Sequence, residues 1–169
     1  MSDVRNSESL VKLRKICKYG VWILIAAIAI MAALAMASIT ELIICLLDSK
    51  FTIFPMDHGA TTISVLSTTC SALSGLFVCV LTYRIAITIS CDRSPFSQDN
   101  VMSMKRIAFI CILTFAIMLI LEVALFLKNS DIYQLEFPFQ LGITGVLTYI
   151  FSLLFEYGAV LQTESDEFL

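Results

Sequence analysis

Length, composition and charge exclude an ordinary water-soluble globular domain. The chain has 169 residues, of which 59% are hydrophobic and 15% charged, whereas about a quarter of the residues of a soluble domain are charged. The mean hydropathy is +0.90 and the formal net charge is only −3, so the positions of the charges are more informative than their sum.

Four apolar segments are long enough to cross a bilayer, which takes on the order of 20 residues in a helix. Backbone amides in lipid must bond within the protein, and no segment alternates with a period of two, so helices are favoured over a barrel. We therefore predict an all-α fold, an integral membrane four-helix bundle that forms one transmembrane domain over residues 1–169. The predicted helices cover about 21–47, 63–89, 107–127 and 139–161.

Lysine and arginine positions predict the orientation, because the cytoplasmic loops of membrane proteins are enriched in these residues. The outer two connections carry one lysine each, Lys50 and Lys128. We therefore expect a multi-pass protein of the cell membrane with both termini in the cytoplasm, a basic segment at 1–20 and an acidic tail at 162–169. The other nine cations lie on the predicted cytoplasmic side: Arg5, Lys12, Arg14, Lys15, Lys18, Arg84, Arg93, Lys105 and Arg106.

Four ionisable residues fall inside the predicted spans, where each costs roughly 2.5–3.5 kcal/mol at a helix centre unless it has a partner or a wet surrounding. Arg84 and Glu156 lie at similar depth in the inner half, so we predict an intramembrane ion pair between them. Glu41 and Glu122 share the outer half with no intramembrane cation beside them. We expect these two to be buried carboxylates.

Small residues every four positions predict which helix faces pack, because they allow close helix contact. Ala29, Ala33 and Ala37 continue into Glu41, which we therefore expect to point into the bundle. Helix two carries a similar seam over 67–79, and helix four carries one formed by Gly145, Thr148, Ser152 and Glu156. The resulting polar interior is either a binding cavity or ion path, or a purely structural set of hydrogen bonds and ion pairs.

Motifs of the common enzyme classes are missing from the sequence. There is no nucleophile elbow, HExxH motif or P-loop, and the single histidine, His58, falls in a predicted outer loop. The six cysteines include no CxxC pair. We expect a protein that is not an enzyme and that has no metal site and no cofactor.

The polar stretch SCDRSPFSQDNVMSMKRIA, residues 90–108, reads as a short, structured turn followed by a helix. Pro95 stops helix two from continuing. Ser97 is a good N-cap for a helix that begins about Gln98, and Phe96 and Val101 have the spacing of a hydrophobic staple. This arrangement predicts that Arg93, Asp99, Asn100 and Lys105 are exposed to the cytoplasm.

Two short motifs resemble the DUF2975 family of small four-helix membrane proteins. SPFSQDNVMSMKRIA resembles the cytoplasmic loop of that family, and EYGAVLQTESDEFL resembles its C-terminal end. The four-helix plan extends the resemblance over nearly the whole chain. The matching positions are Pro95, Phe96, Asn100 and Ile107, then Gly158, Leu161, Gln162, Glu164 and Asp166.

Family members are often encoded beside a small Cro-like helix-turn-helix regulator. The resemblance therefore implies a membrane protein that binds or modulates such a cytoplasmic regulator. Direct contact with nucleic acid is not expected, because the basic residues lie at the membrane and the acidic tail repels phosphates. The predicted partner-binding loop and tail comprise Pro95, Phe96, Asn100, Lys105, Arg106, Gln162, Glu164 and Asp166.

Two other interpretations fit the sequence. The chain could be a small transport or immunity protein that binds an ion, a peptide or a lipid in the polar interior of the bundle. It could also be a structural subunit of a larger membrane complex. The acidic tail could pair with Arg93, Lys105 and Arg106 in one cytoplasmic cap, or it could be solvated.

Overall fold

The fold is all-α in the computed structural model, which describes residues 2–47, 62–91, 95–128 and 138–167. Each of the four predicted spans lies within one helix. The helices are α1 (Ser2–Leu47), α2 (Thr62–Ser90), α3 (Gln98–Lys128) and α4 (Phe139–Glu167).

All four helices are long and apolar enough to cross a membrane. Helices α2, α3 and α4 have 29, 31 and 29 residues, or about 44–47 Å at ~1.5 Å per residue, against a hydrocarbon core of about 30 Å. Many of their large apolar side chains are exposed, including Phe77, Phe109, Ile120 and Phe151. This pattern suits helices whose outer surfaces contact lipid rather than water.

Helices α1, α3 and α4 extend well beyond the predicted spans, and for α3 the start at Gln98 is the one that the capping pattern predicts. The 46 residues of α1 form one continuous helix of about 69 Å. The basic segment is therefore helical from residue 2 and continues without a break into the apolar part of α1. At the other end of the chain, α4 continues to Glu167. The expected acidic tail is therefore helical over residues 162–167.

The helices pack in chain order. Helix α1 packs against α2, α2 against α3, and α3 against α4. Within the described ranges, no Cα atoms of α1 and α3, of α1 and α4 or of α2 and α4 approach within 8 Å. The bundle is therefore an open row with α1 and α4 at its two ends. Helix α2 lies between α1 and α3, and α3 lies between α2 and α4.

The start of α3 follows the predicted capping chemistry. The backbone N–H of Asn100 donates to the Ser97 carbonyl at 3.0 Å and lies 3.4 Å from Ser97 Oγ. The helix begins at Gln98. The expected role of Ser97 as the N-cap is therefore confirmed.

Small residues on α4 allow it to approach α3 closely. A Cβ atom added at Gly145 would lie 2.8 Å from Cγ1 of Ile112, and one added at Gly142 would lie 3.3 Å from the ring of Phe115. Ser152, on the same face, is fully buried. The predicted small-residue face of α4 thus packs against α3.

Candidate functional site

The ring of Phe96 joins the turn before α3 to the last turns of α4. Its centroid lies 5.3 Å from that of Phe155, with an interplanar angle of 47°. A Cβ added at Gly158 would lie 2.8 Å from Phe96 Cδ1, so only glycine leaves room for the ring. Phe96 keeps 40% of its surface exposed, and it packs on α4 rather than serving only as a local staple for α3.

Asn100 is buried, contrary to the prediction that it is exposed to the cytoplasm. Only 2% of its surface is accessible, and its Nδ2 donates to the Pro95 carbonyl at 3.1 Å. The physical reason is that the amide of Asn100 turns back to the carbonyl of the preceding turn and bonds it there, instead of pointing outward. Asn100 therefore shapes the turn and does not present a side chain to a partner.

The partner of Glu156 is Lys105, so the predicted ion pair with Arg84 is wrong. Lys105 Nζ lies 2.9 Å from each carboxylate oxygen of Glu156. The order of the helices explains the correction, because Lys105 is on α3, which packs against α4, while Arg84 is on α2, which does not. The side chains of Lys105 and Glu156 remain 33% and 42% exposed.

We call the surface formed by Phe96, Lys105, Phe155, Glu156 and Gly158 the α3–α4 platform. Its ring contact and its ion pair hold the beginning of α3 against the end of α4. The two sequence motifs that carry the family resemblance, around 95–107 and 158–166, therefore meet in space. Sequence reasoning placed both motifs on one side of the membrane but missed this contact. The available signal was that one motif contains a glycine, Gly158, and the other an aromatic residue, Phe96, because a glycine in a helix leaves room for an aromatic ring.

The other predicted partner-binding residues surround the platform unevenly. Pro95 is partly buried, whereas Arg106, Gln162 and Glu164 are exposed. Asp166 belongs to the last turn of α4, but its side chain lies outside what the structure describes. The expected contacts of the tail with Arg93 likewise fall outside the described residues.

Both glutamates of the predicted outer half are buried. Glu41 is 3% exposed and Glu122 is 8% exposed, and the Oε2 atom of Glu122 is fully covered. The face of α1 that carries Glu41 differs from the prediction, because Ala29, Ala33 and Ala37 are exposed. The buried residues on that face of α1 are instead Ala35, Ser38 and Cys45.

Hydroxyl groups line the interior near these carboxylates. Thr69 Oγ1 on α2 donates to the Ser38 carbonyl of α1 at 3.3 Å, and Ser67 Oγ donates to the sulfur of Met118 on α3 at 3.0 Å. A cavity of about 360 Å³ lies between these three helices. Its lining includes Met31, Ser38, Ser67, Thr68, Ser71 and Met118.

The described residues contain no group of three or more histidine, cysteine, aspartate or glutamate side chains that could hold a metal ion. No protein-family model, no curated protein and no solved structure matches the chain.

Proposed function

We propose that this chain is a non-enzymatic integral protein of the cell membrane that binds a cytoplasmic partner at the α3–α4 platform. Four helices suited to crossing a membrane support its placement, and the lysine and arginine distribution favours cytoplasmic termini. The resemblance of its two motifs to DUF2975 favours a small Cro-like helix-turn-helix regulator as the partner.

The observation that carries this proposal is the contact of Phe96 with Gly158 and Phe155. This contact gathers residues from both motifs, which are more than 50 positions apart in the sequence, into one surface. Phe96 packs on α4 and still has 40% of its surface exposed, and aromatic residues are enriched at protein interfaces. Exposed Arg106, Gln162 and Glu164 provide polar groups around it.

Co-purification of the regulator with variants of exposed residues tests the proposal. The double variant Q162A/E164K changes two exposed side chains at the platform end of α4. We expect it to reduce recovery of a co-expressed helix-turn-helix regulator at least ~10-fold, because charges at an interface often determine which partner binds. Q140A is the matched control, because Gln140 is exposed at the opposite end of the same helix.

The variants should keep the thermal unfolding midpoint of the parent protein, because surface substitutions usually change stability by less than about 0.5 kcal/mol. Recovery of the regulator that is the same for the parent, Q162A/E164K and Q140A would contradict the proposed surface. Failure of the parent protein to retain any such regulator would contradict the partner class.

A second candidate function is the binding of a small ligand or ion in the interior, as in a small transport or immunity protein. The cavity between α1, α2 and α3 and the buried carboxylates Glu41 and Glu122 favour it. If it is correct, E41Q or E122Q removes ligand protection or flux measured in reconstituted vesicles, while Q162A/E164K leaves both unchanged. The opposite pattern supports the platform.

A further inference from the structure

A groove between α2 and α3 combines basic and apolar side chains. Its volume is about 430 Å³. The cations Arg84, Lys105 and Arg106 line it together with an apolar wall. The wall consists of Phe77, Val80, Leu81, Phe109 and Ile110.

The cations of this groove lie at one common depth. Arg84 is six residues before the end of α2 at Ser90, and Lys105 and Arg106 are seven and eight residues after the start of α3 at Gln98. At ~1.5 Å per residue, all three backbones are about 9–12 Å from the helix ends, where long basic side chains reach toward the interface.

The charge of the groove is not balanced from within the described part of the chain. Lys105 is neutralised by Glu156, which leaves the guanidinium groups of Arg84 and Arg106. Both side chains are exposed, and no carboxylate in the described ranges forms an ion pair with either. Two arginines that line the same groove present planar, multidentate donors that suit a phosphate group.

The apolar wall continues the groove along the membrane-facing surface. Phe77 and Phe109 are well exposed in the monomer, and in a spanning helix such exposed apolar side chains contact acyl chains. A phosphate between the arginines would thus have its own acyl chains beside these rings. Basic pockets between transmembrane helices on the cytoplasmic side are suited to anionic lipid head groups.

We propose that this groove is a binding site for an anionic phospholipid of the leaflet at the platform side, with the phosphate held by Arg84 and Arg106. The site differs from the α3–α4 platform in its helices and its occupant. Lys105 borders both, since it lines the groove and pairs with Glu156. The proposal does not depend on the identity of any protein partner.

Native mass spectrometry of the full chain in mild detergent, titrated with phosphatidylglycerol or phosphatidylcholine, tests this site. We expect tighter binding of phosphatidylglycerol than of phosphatidylcholine. In R84Q/R106Q the apparent affinity for phosphatidylglycerol should be roughly 10- to 30-fold weaker, because each basic residue contributes about 1 kcal/mol of attraction to an anionic lipid, and two such contributions convert to this fold-change. K15Q/K18Q is the matched control, because it removes two exposed cations of α1 that do not line the groove. R84K/R106K keeps both charges but loses the planar donors, so we expect it to bind phosphatidylglycerol more weakly than the parent and more tightly than R84Q/R106Q.

Three results would overturn the proposal. One is equal affinity for the two lipids, and another is an equal loss in R84Q/R106Q and K15Q/K18Q, which would indicate nonspecific charge attraction. The third is displacement of the lipid by millimolar inorganic phosphate alone, which would assign the arginines to a free anion. Thermal unfolding midpoints of all variants, together with the result for R84K/R106K, distinguish loss of the site from loss of the fold.

Discussion

At the scale of single residues, a buried asparagine holds the turn before α3 in place. The side-chain amide of Asn100 donates to the Pro95 carbonyl, and its backbone N–H donates to the Ser97 carbonyl. This turn also positions Phe96, whose ring packs against Gly158. The side chain that shapes this surface is therefore different from the side chains that face outward from it.

Replacing Asn100 with alanine is expected to destabilise the protein by about 1–3 kcal/mol, because a buried side chain and its hydrogen bond to the Pro95 carbonyl are lost. The free energy of unfolding in detergent measures the effect. Q98A is the matched control, since Gln98 is exposed two residues earlier in the same turn of helix, and it should change stability by less than about 0.5 kcal/mol. Equal effects of N100A and Q98A on the free energy of unfolding would contradict the role of Asn100 in holding the turn before α3.

The ion pair of Lys105 and Glu156 predicts that substitutions of these two residues have non-additive effects on the free energy of unfolding. Both side chains are partly exposed, so a double-mutant cycle with K105M and E156Q should give a coupling energy of only about 0.2–1 kcal/mol. The parallel cycle with R84M and E156Q should give a value near zero, because no described Cα atoms of α2 and α4 lie within 8 Å of each other. Coupling that is larger for Arg84 than for Lys105 would contradict the helix order.

At the scale of helices, close packing of α4 on α3 depends on two glycines of α4 that face α3. Gly145 lies against Ile112 and Cys111, and Gly142 lies against Phe115. In lipid there is no hydrophobic driving force between helices, so contacts at short range determine their association. Any side chain larger than hydrogen at Gly145 has to displace a neighbour.

Leucine at Gly145 is expected to lower the stability of the protein by about 1–3 kcal/mol through overpacking. The same substitution at Gly20 is the matched control, because a Cβ atom there meets nothing within 4 Å. Both changes raise helix propensity equally, so the difference in unfolding midpoint between G145L and G20L reports packing alone. Midpoints that fall together would show that the α3–α4 contact is not as close as described.

Hydropathy and capping predicted the helices because these properties are local. The start of α3 after Ser97 follows from the chemistry of one short stretch, and the spans follow from runs of apolar residues. Which helix faces which neighbour is not local. The sequence predicted a packing stripe through Ala29 and Ala33, but the residues of α1 that are buried are Ala35 and Ser38.

The candidate site was predictable to a similar degree. Depth alone paired Glu156 with Arg84, because residues at equal depth were taken to be neighbours, but the row of helices places Lys105 beside Glu156. The predicted turn and helix start suggested that Asn100 is exposed to the cytoplasm. Its burial accompanies a hydrogen bond back to the Pro95 carbonyl, which exists only when the turn forms.

At the scale of the whole molecule, the open row of helices separates three regions. The platform joins α3 and α4, the basic groove lies between α2 and α3, and the hydroxyl-lined cavity borders α1, α2 and α3. The proposed functions all require that the four helices span a membrane, and binding of a cytoplasmic partner also requires that the turn between α2 and α3 faces the cytoplasm.

Cysteine accessibility in intact cells tests that requirement most directly. Cys91 is exposed directly after α2, so in a C17S background a membrane-impermeant maleimide should label it only after permeabilisation, and C91S should remove that signal. Q140C, at the opposite end of α4, should be labelled in intact cells. Labelling of Cys91 in intact cells, or protection of Q140C until permeabilisation, would contradict the proposed topology.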